Sequence, residues 1–127
     1  MKPTKQMRAE VSGYIQKWQP RLYLHEWSFK TTHFHSADEE DKSSAAIIMK
    51  TEYKQANIKI NPRFWEDTDP KEREMIVLHE LCHCIVQPLV QIAADAANGH
   101  GVSGREIDHW KESVTQHLTN SIFYGLK

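Results

Sequence analysis

The segment His79-Glu80-Leu81-Cys82-His83 constrains this chain more than any other feature of its sequence. Its flanks, residues 75–78 and 85–86, are apolar, as expected for a buried helix. Four residues of helix advance about 6 Å and turn by about 400°, so the two imidazoles project from one face and can reach a common ion. Glu80 is offset by about 100° from His79, which keeps its carboxylate off the ion but near a water molecule beside it. The segment therefore predicts a metal-binding helix.

The start of this helix is marked by the sequence Asp69-Pro70-Lys71-Glu72. Asp69 is a favourable N-cap, Pro70 suits the first helical turn, and Glu72 stands at capping-box spacing. His-Glu-x-x-His on such a helix is typical of zinc hydrolases. The alternative is a pair of surface histidines on an ordinary amphipathic helix.

The C-terminal part of the same helix contains Pro88, which cannot donate a hydrogen bond to residue 84. We expect Pro88 to kink the helix or to end it near Gln87. Residues 89–97 still have a helical pattern, and Asn98-Gly99 is a stop signal.

Length and composition indicate one domain over residues 1–127, since 39% hydrophobic content is normal for a small globular protein. Sixteen Lys and Arg oppose 17 Asp and Glu, so the net charge of −1 gives no general attraction to nucleic acid or to an anionic membrane. The N-terminal segment 1–5 does not lead into a signal-peptide core, and no apolar run of membrane-spanning length is present. We expect a cytoplasmic protein without a membrane partner; the sequence does not indicate its oligomeric state.

The two cysteines, Cys82 and Cys84, lie two residues apart on the predicted metal-binding helix. Their side chains diverge by about 200°, so they cannot form a disulfide with each other, and they fit a reducing compartment. Cys82 continues an apolar row at helical spacing, which favours a small buried side chain over a metal ligand or redox switch.

Hydrophobic periodicity elsewhere predicts an α+β fold in which a small antiparallel or mixed three-stranded sheet packs on helices. The N-terminal helix is predicted over residues 3 to about 18, ending at Gln19-Pro20. Strands are predicted over residues 27–35, 45–53 and 56–60, with Lys54-Gln55 joining the last two as a hairpin. His33 and His35 would share one face of the first strand, where solvated positions are favoured over a metal pair.

The final helix is predicted from the capping-box pattern Ser103-Gly104-Arg105-Glu106 onward. Its core row consists of Ile107, Trp110, Val114, Leu118 and Ile122. A polar stripe with Asp108, Glu112 and Thr119 borders this row.

A catalytic zinc ion usually takes three protein ligands and leaves one position for water. His79 and His83 supply two, and the third must come from elsewhere in the fold. The candidates by residue type are His100, Asp108, His109 and Glu112. Glu112 borders the core face, where Asp108, Thr115 or Gln116 could hydrogen-bond it, although an exposed glutamate paired with Lys111 is the plainer interpretation.

The run Val77 to His83, followed by Pro88-Leu89 and by Glu112-Ser113-Val114-Thr115-Gln116-His117-Leu118, resembles the small gluzincin metallopeptidases called minigluzincins, which are common in phage and prophage sequences. The upstream segment 53–62 is similar to the strand that precedes their zinc helix. The resemblance implies Zn²⁺ bound by His79, His83 and Glu112, with Glu80 as general base. It also implies that strand 56–60 offers backbone groups to a peptide substrate, and that a polar residue at Gln116 orients a ligand.

The reaction expected of such a site is hydrolysis of a peptide bond by a water molecule from which Glu80 removes a proton. Tyr53 and His109 are candidates, by chemistry alone, for stabilising the oxyanion.

Three other interpretations remain open from the sequence. A SprT-like protease that acts on DNA-associated proteins has a similar motif and a downstream His-Gly pair, which His100-Gly101 matches, but this chain lacks a Cys-x-x-Cys zinc ribbon and a concentrated basic patch. A regulator of the type that cleaves phage repressors also contains the His-Glu-x-x-His motif, and little beyond the motif supports it here. A binding protein with structural zinc would need a fourth ligand, such as Cys82 or His109. Nucleobase deamination is excluded because the Pro-Cys-x-x-Cys ligand pair is missing.

Overall fold

Four helices and three strands make up the computed structural model, which describes residues 5–33, 45–65, 67–97 and 104–125. In chain order the elements are α1 (Lys5–Arg21), β1 (Ser28–His33), β2 (Ala45–Lys50), a 3₁₀ turn (Thr51–Tyr53), β3 (Gln55–Ile60), α2 (Pro62–Trp65), α3 (Pro70–Ala97) and α4 (Gly104–Gly125). This arrangement is the predicted α+β fold. Its three-stranded sheet is mixed.

The sheet has the strand order β1-β3-β2. β3 pairs in parallel with β1, where Phe29 lies opposite Ala56, and antiparallel with β2, where Met49 also lies opposite Ala56. The β2–β3 hairpin is confirmed; it closes through the 3₁₀ turn and Lys54, whose φ of 50° is in the left-handed region. Because β3 is the central strand, its backbone groups are used within the sheet on both sides, and the prediction that strand 56–60 offers them to a substrate is wrong.

The core lies between the inner face of the sheet and helices α1 and α3. Alternate residues of β3 point inward and are buried, as the period of two requires: Ala56, Ile58 and Ile60. They pack in one apolar cluster with residues of α1 and α3: Val11, Ile15, Trp18, Val77, Leu78, Leu81 and Cys82. The predicted packing role of α1 is confirmed for Val11 and Trp18.

Helix α1 continues through Pro20 to Arg21, past the predicted end at Gln19-Pro20. Pro20 lies in the last turn, where its missing N–H removes one hydrogen bond and little else. The Gln19 side chain then secures the chain that follows, since its Nε2 donates to the carbonyls of Leu24 and Trp27, each at 2.8 Å.

Helix α3 begins where the sequence predicts. It extends past Gln87, near which Pro88 was expected either to kink the helix or to end it. The backbone N–H of Glu72 donates to Asp69 Oδ1 at 2.8 Å, which confirms Asp69 as the N-cap. The helix runs through Pro88 to Ala97, so the interpretation that it ends near Gln87 is wrong. Pro88 is exposed, and its ring therefore displaces no core side chain.

Residues 70–96 of α3 are long and apolar enough to cross a membrane by length and composition alone. In this fold 44% of their most apolar window is buried inside the protein, and the central core helix of a globular domain meets the same criterion. Length and composition therefore do not distinguish the two cases.

Helix α4 packs on α3 with a different face from the one predicted. Trp110 and Val114 were expected in the core but are 64% and 50% exposed, whereas Thr115, Thr119 and Phe123 are buried. The threonines can be buried because each hydroxyl donates to a carbonyl one turn earlier in the helix, Thr115 to Lys111 and Thr119 to Thr115, both at 2.7 Å. Of the predicted polar stripe, Thr119 is therefore buried, whereas Asp108 is exposed and Glu112 is only partly covered.

Candidate metal centre

His79 and His83 lie one turn apart on the buried side of α3. Their ring centroids are 4.9 Å apart, and the rings are nearly perpendicular. The turn of α4 that packs here carries Glu112, whose side chain reaches between the rings. Its Oε2 lies 3.2 Å from His79 Nε2, and its Oε1 lies 3.4 Å from His83 Nε2.

These three side chains form a convergent donor set. One potential ligand atom from each of His79, His83 and Glu112 lies within 4.8 Å of the other two. Two imidazole nitrogens and a carboxylate oxygen are ligands that divalent transition metals accept. The residues present therefore fit a bound metal ion.

The environment of His83 favours the neutral imidazole that a metal requires. Burial is the main cause that lowers the pKa of His83, to about 4, and the carboxylate of Glu112 opposes this shift. Thr115 Oγ1 lies 3.4 Å from His83 Nδ1, and its hydroxyl already donates to the Lys111 carbonyl. The hydroxyl oxygen can therefore only accept from Nδ1–H, which assigns the proton to Nδ1 and leaves the lone pair of Nε2 facing Glu112.

Asp108, Thr115 and Gln116 were suggested as hydrogen-bond partners of Glu112; Thr115 does contact the site, but its neighbour there is His83 and not Glu112. Gln116, the position that the family resemblance favoured, donates instead to Asn120 Oδ1 at 2.9 Å. Asp108 pairs with Lys111 at 3.5 Å. His79 differs from His83, because its buried Nδ1 has no hydrogen-bond partner among the residues that the structure describes.

We expect Thr115→Val to weaken metal binding by about tenfold to a hundredfold, because the methyl group cannot accept from His83 Nδ1–H. Thr115→Ser is the matched control, since it keeps the hydroxyl. The dissociation constant of the metal, measured by competition with a chelating dye, checks this prediction. Equal affinities for the valine and serine variants would contradict the orienting role of the hydroxyl.

Glu80 lies beside this cluster and is almost fully buried, with 7% of its surface exposed. Burial raises the pKa of Glu80 to about 8, helped by the negative charge of Glu112 and opposed by Lys111. Glu80 and His79 together line a cleft of about 420 Å³ that extends toward the first turns of α3. A basic carboxylate next to a metal-binding cluster in a cleft can accept a proton from a water molecule there.

The other candidate ligands that the structure describes, Asp108 and His109, are not part of the cluster. Asp108 and His109 are exposed on α4, where the His109 ring contacts the edge of Trp110. His100 and His35 lie outside the described residues, and so does the side chain of His33. Tyr53, named as an oxyanion candidate, is 70% exposed in the 3₁₀ turn.

Cys82 is fully buried and packs in the core, as its apolar row predicts. Burial raises the pKa of the Cys82 thiol and raises that of Cys84 to about 12, so both remain protonated. Neither is the thiolate that binds a metal. Both are free thiols.

Sequence reasoning missed two residues near the site. Lys111 was considered only as a partner for Glu112, but its positive charge acts to lower the pKa of both Glu80 and His83. Gln116 was considered as a ligand-orienting residue, whereas it lines the cleft. The position of each depends on how α4 docks on α3, and no local pattern in the sequence predicts that docking.

A His-Glu-x-x-His helix whose two histidines meet a carboxylate from a second helix is the donor arrangement of metal-dependent peptidases. The family model described as "Putative phage metallopeptidase" matches residues 16–117, a range that contains α3 and Glu112. The chain belongs to this phage metallopeptidase family. No curated protein and no solved structure matches the chain significantly.

Proposed function

We propose that this protein is a zinc-dependent peptidase of the gluzincin type, in which His79, His83 and Glu112 hold the ion and Glu80 is the general base. The observation that carries the proposal is the convergence of the three donors, with Glu112 brought from a different helix to both Nε2 atoms. Membership of the phage metallopeptidase family supports it.

The choice of zinc rests on the chemistry and spacing of the donors. Ligands about 2.1 Å from a tetrahedral zinc ion lie roughly 3.4 Å from one another. His79 Nε2 lies 3.2 Å from Oε2 of Glu112, and His83 Nε2 lies 3.4 Å from Oε1, so each imidazole nitrogen is spaced from one carboxylate oxygen about as two ligands of the same zinc ion are. Three protein donors leave one position for water, as in catalytic zinc sites, whereas structural sites usually have four.

When bound, zinc supplies Lewis acidity, which polarises a carbonyl group and lowers the pKa of a water molecule. Glu80 then accepts the proton of the attacking water, which adds to the carbonyl carbon of the peptide. Glu80 is buried beside the three donors, where it can hold this proton and deliver it to the leaving nitrogen. Thr115 keeps the His83 ring in the tautomer that this arrangement needs.

The proposed substrate is a peptide or an extended protein segment. β2 pairs with β3 on one side and has no other strand partner among the described residues, and its first residue, Ala45, lines the cleft with His79 and Glu80. An extended peptide that pairs with the open edge of β2 would therefore run past Glu80. This edge replaces the 56–60 segment as the proposed backbone-binding strand.

Two further parts of the proposal concern the setting of the reaction. Two free, buried cysteines fit a reducing compartment, so we propose a cytoplasmic location. The formal charge of −1 gives no general attraction to nucleic acid, which argues against the SprT-like alternative with His100 as third ligand.

The direct test is incubation of the purified protein with a mixture of unstructured peptides, followed by mass spectrometry of the products. We expect new termini to appear in proportion to time and enzyme concentration. A mixture that stays intact after long incubation with zinc-loaded protein would contradict the peptidase proposal and favour a non-catalytic, metal-containing binding protein.

A further inference from the structure

The cleft beside the metal centre extends beyond the residues that would perform the chemistry. It is formed by the start of β2, the turn before α3, the N-terminal half of α3 and one residue of α4: Ala45, Thr68, Glu72, Met75, Ile76, His79, Glu80 and Gln116. His79 and Glu80 lie at one end of this set along α3, and Glu72 lies at the other. The residues between them are apolar, which divides the cleft into a reactive end and a distal end.

Glu72 is aligned with the reactive end. Glu72 precedes His79 by seven positions, and seven positions make nearly two full helical turns. Both side chains therefore project from the same face of α3, about 10 Å apart along the axis. Met75 and Ile76 lie between them and are half-buried, so part of each faces the cleft. A substrate side chain that starts near Glu80 and runs along this wall would contact Met75 and Ile76, so its stem should be apolar. Its end would lie at Glu72.

The side chains that line the cleft include no lysine or arginine. Two of them are carboxyl groups, and of these Glu72 is exposed whereas Glu80 is buried. The cations next to Glu72 in sequence are directed elsewhere, since Lys71 lies over the Tyr124 ring and Arg73 pairs with Glu10. Among the described residues, no side chain forms an ion pair with the exposed Glu72 carboxylate.

Two further polar side chains line the cleft outside its reactive end, those of Thr68 and Gln116, and both have hydrogen-bond partners within the fold. Thr68 Oγ1 donates to the Trp65 carbonyl at 2.6 Å and accepts from Arg73 Nε at 3.2 Å. Gln116 donates to Asn120. Glu72 is therefore the polar group at the distal end that is available to a ligand.

We propose that this distal end is a specificity subsite for a lysine or arginine side chain next to the cleaved bond, with the aliphatic stem on Met75 and Ile76 and the cationic head at Glu72. Long basic side chains combine these two chemistries, because they bury their methylene stems and keep their charge at a polar rim. This inference rests on the proposed peptidase function, and it names the substrate class: peptides with a basic residue at the cleavage site.

The test measures peptide binding without turnover, by NMR titration of the metal-loaded Glu80→Gln protein with three short peptides. The peptides differ only in a central lysine, norleucine or glutamate, so norleucine keeps the stem and removes the charge. We expect the lysine peptide to bind about two- to fivefold more tightly than the norleucine peptide, the effect of an exposed ion pair. Adding Glu72→Gln should bring this ratio to about one, and Glu72→Lys should favour the glutamate peptide. Glu106→Gln, which neutralises a carboxylate of α4 outside the cleft, should leave the ratio unchanged.

Equal affinities for the lysine and norleucine peptides, a lysine preference that survives Glu72→Gln, or no binding of any peptide would each overturn the subsite. Cleavage by the wild-type protein is scored separately. Cleavage without a basic preference would overturn the subsite and leave the peptidase proposal standing. A lysine preference that depends on Glu72, without cleavage of any peptide, would support the subsite and contradict the peptidase proposal.

Discussion

Replacing Glu80 by glutamine is expected to lower kcat for peptide hydrolysis by about 10²–10⁴-fold while metal binding is retained. The amide has nearly the same shape as the carboxylate but cannot accept the proton of the attacking water. Glu80 is not part of the His79, His83 and Glu112 cluster, so its replacement removes no donor. Steady-state kinetics on a peptide that the wild type cleaves, together with metal content, check this prediction.

The matched control is Glu106→Gln, which neutralises an exposed glutamate of α4 away from the cleft and should keep wild-type turnover. Circular dichroism of both variants excludes a loss of fold as the cause of a difference. Full activity of Glu80→Gln would show that another group removes the proton and would overturn the assignment of the base.

Removing the metal with a chelator is expected to abolish peptide hydrolysis while the protein stays folded. The apolar core is formed by residues of α1, β3 and α3 that are not donors of the metal centre, and 55% of the Glu112 side-chain surface is exposed. We therefore expect the fold to survive removal of the ion. Free metal at one hundred times its dissociation constant should add about 2.7 kcal/mol to the free energy of unfolding, so the apoprotein should melt at a lower temperature and still cooperatively.

Far-UV circular dichroism and thermal melts before and after chelation measure both effects. Adding zinc back should restore hydrolysis and the higher melting temperature, which controls for irreversible damage by the chelator. Unfolding on chelation at room temperature would indicate a structural metal site and contradict a catalytic one.

The metal-binding helix could be predicted because the sequence signals that specify it lie within the helix and its immediate flanks. Asp69 caps the helix, the apolar flanks indicate burial, and the spacing of His79 and His83 fixes their common face. These relations span at most a few turns of one helix. The existence of three strands followed from the same kind of local pattern.

The third donor was left open because it depends on tertiary packing. Glu112 follows His79 by 33 residues, and its contact with the histidines exists only once α4 has docked on α3. The docking face was also misjudged, because Thr115 and Thr119 count as polar in a hydrophobic pattern but are buried once their hydroxyls bond to their own helix. The family resemblance implied Glu112 as the third donor, whereas periodicity alone left it as one of several candidates.

Strand order is a second feature that local patterns do not contain. The alternation of buried and outward residues in 55–60 is the same for an edge strand and for the central strand of a sheet with one open face. The β1–β3 pairing is parallel and joins strands that are not consecutive in the sequence. This long-range pairing makes β3 the central strand and leaves β1 and β2 at the edges, so the proposed substrate strand is β2 and not β3.

The central claim is that Glu112 completes the metal centre, and the most direct test is the zinc content of purified variants by elemental analysis. Glu112→Ala removes the proposed third donor, and His100→Ala removes the competing one, which lies outside the described residues. We expect about one zinc ion per chain in the wild type and in His100→Ala, and much less in Glu112→Ala. Loss of zinc in His100→Ala with retention in Glu112→Ala would contradict the account and favour the SprT-like arrangement.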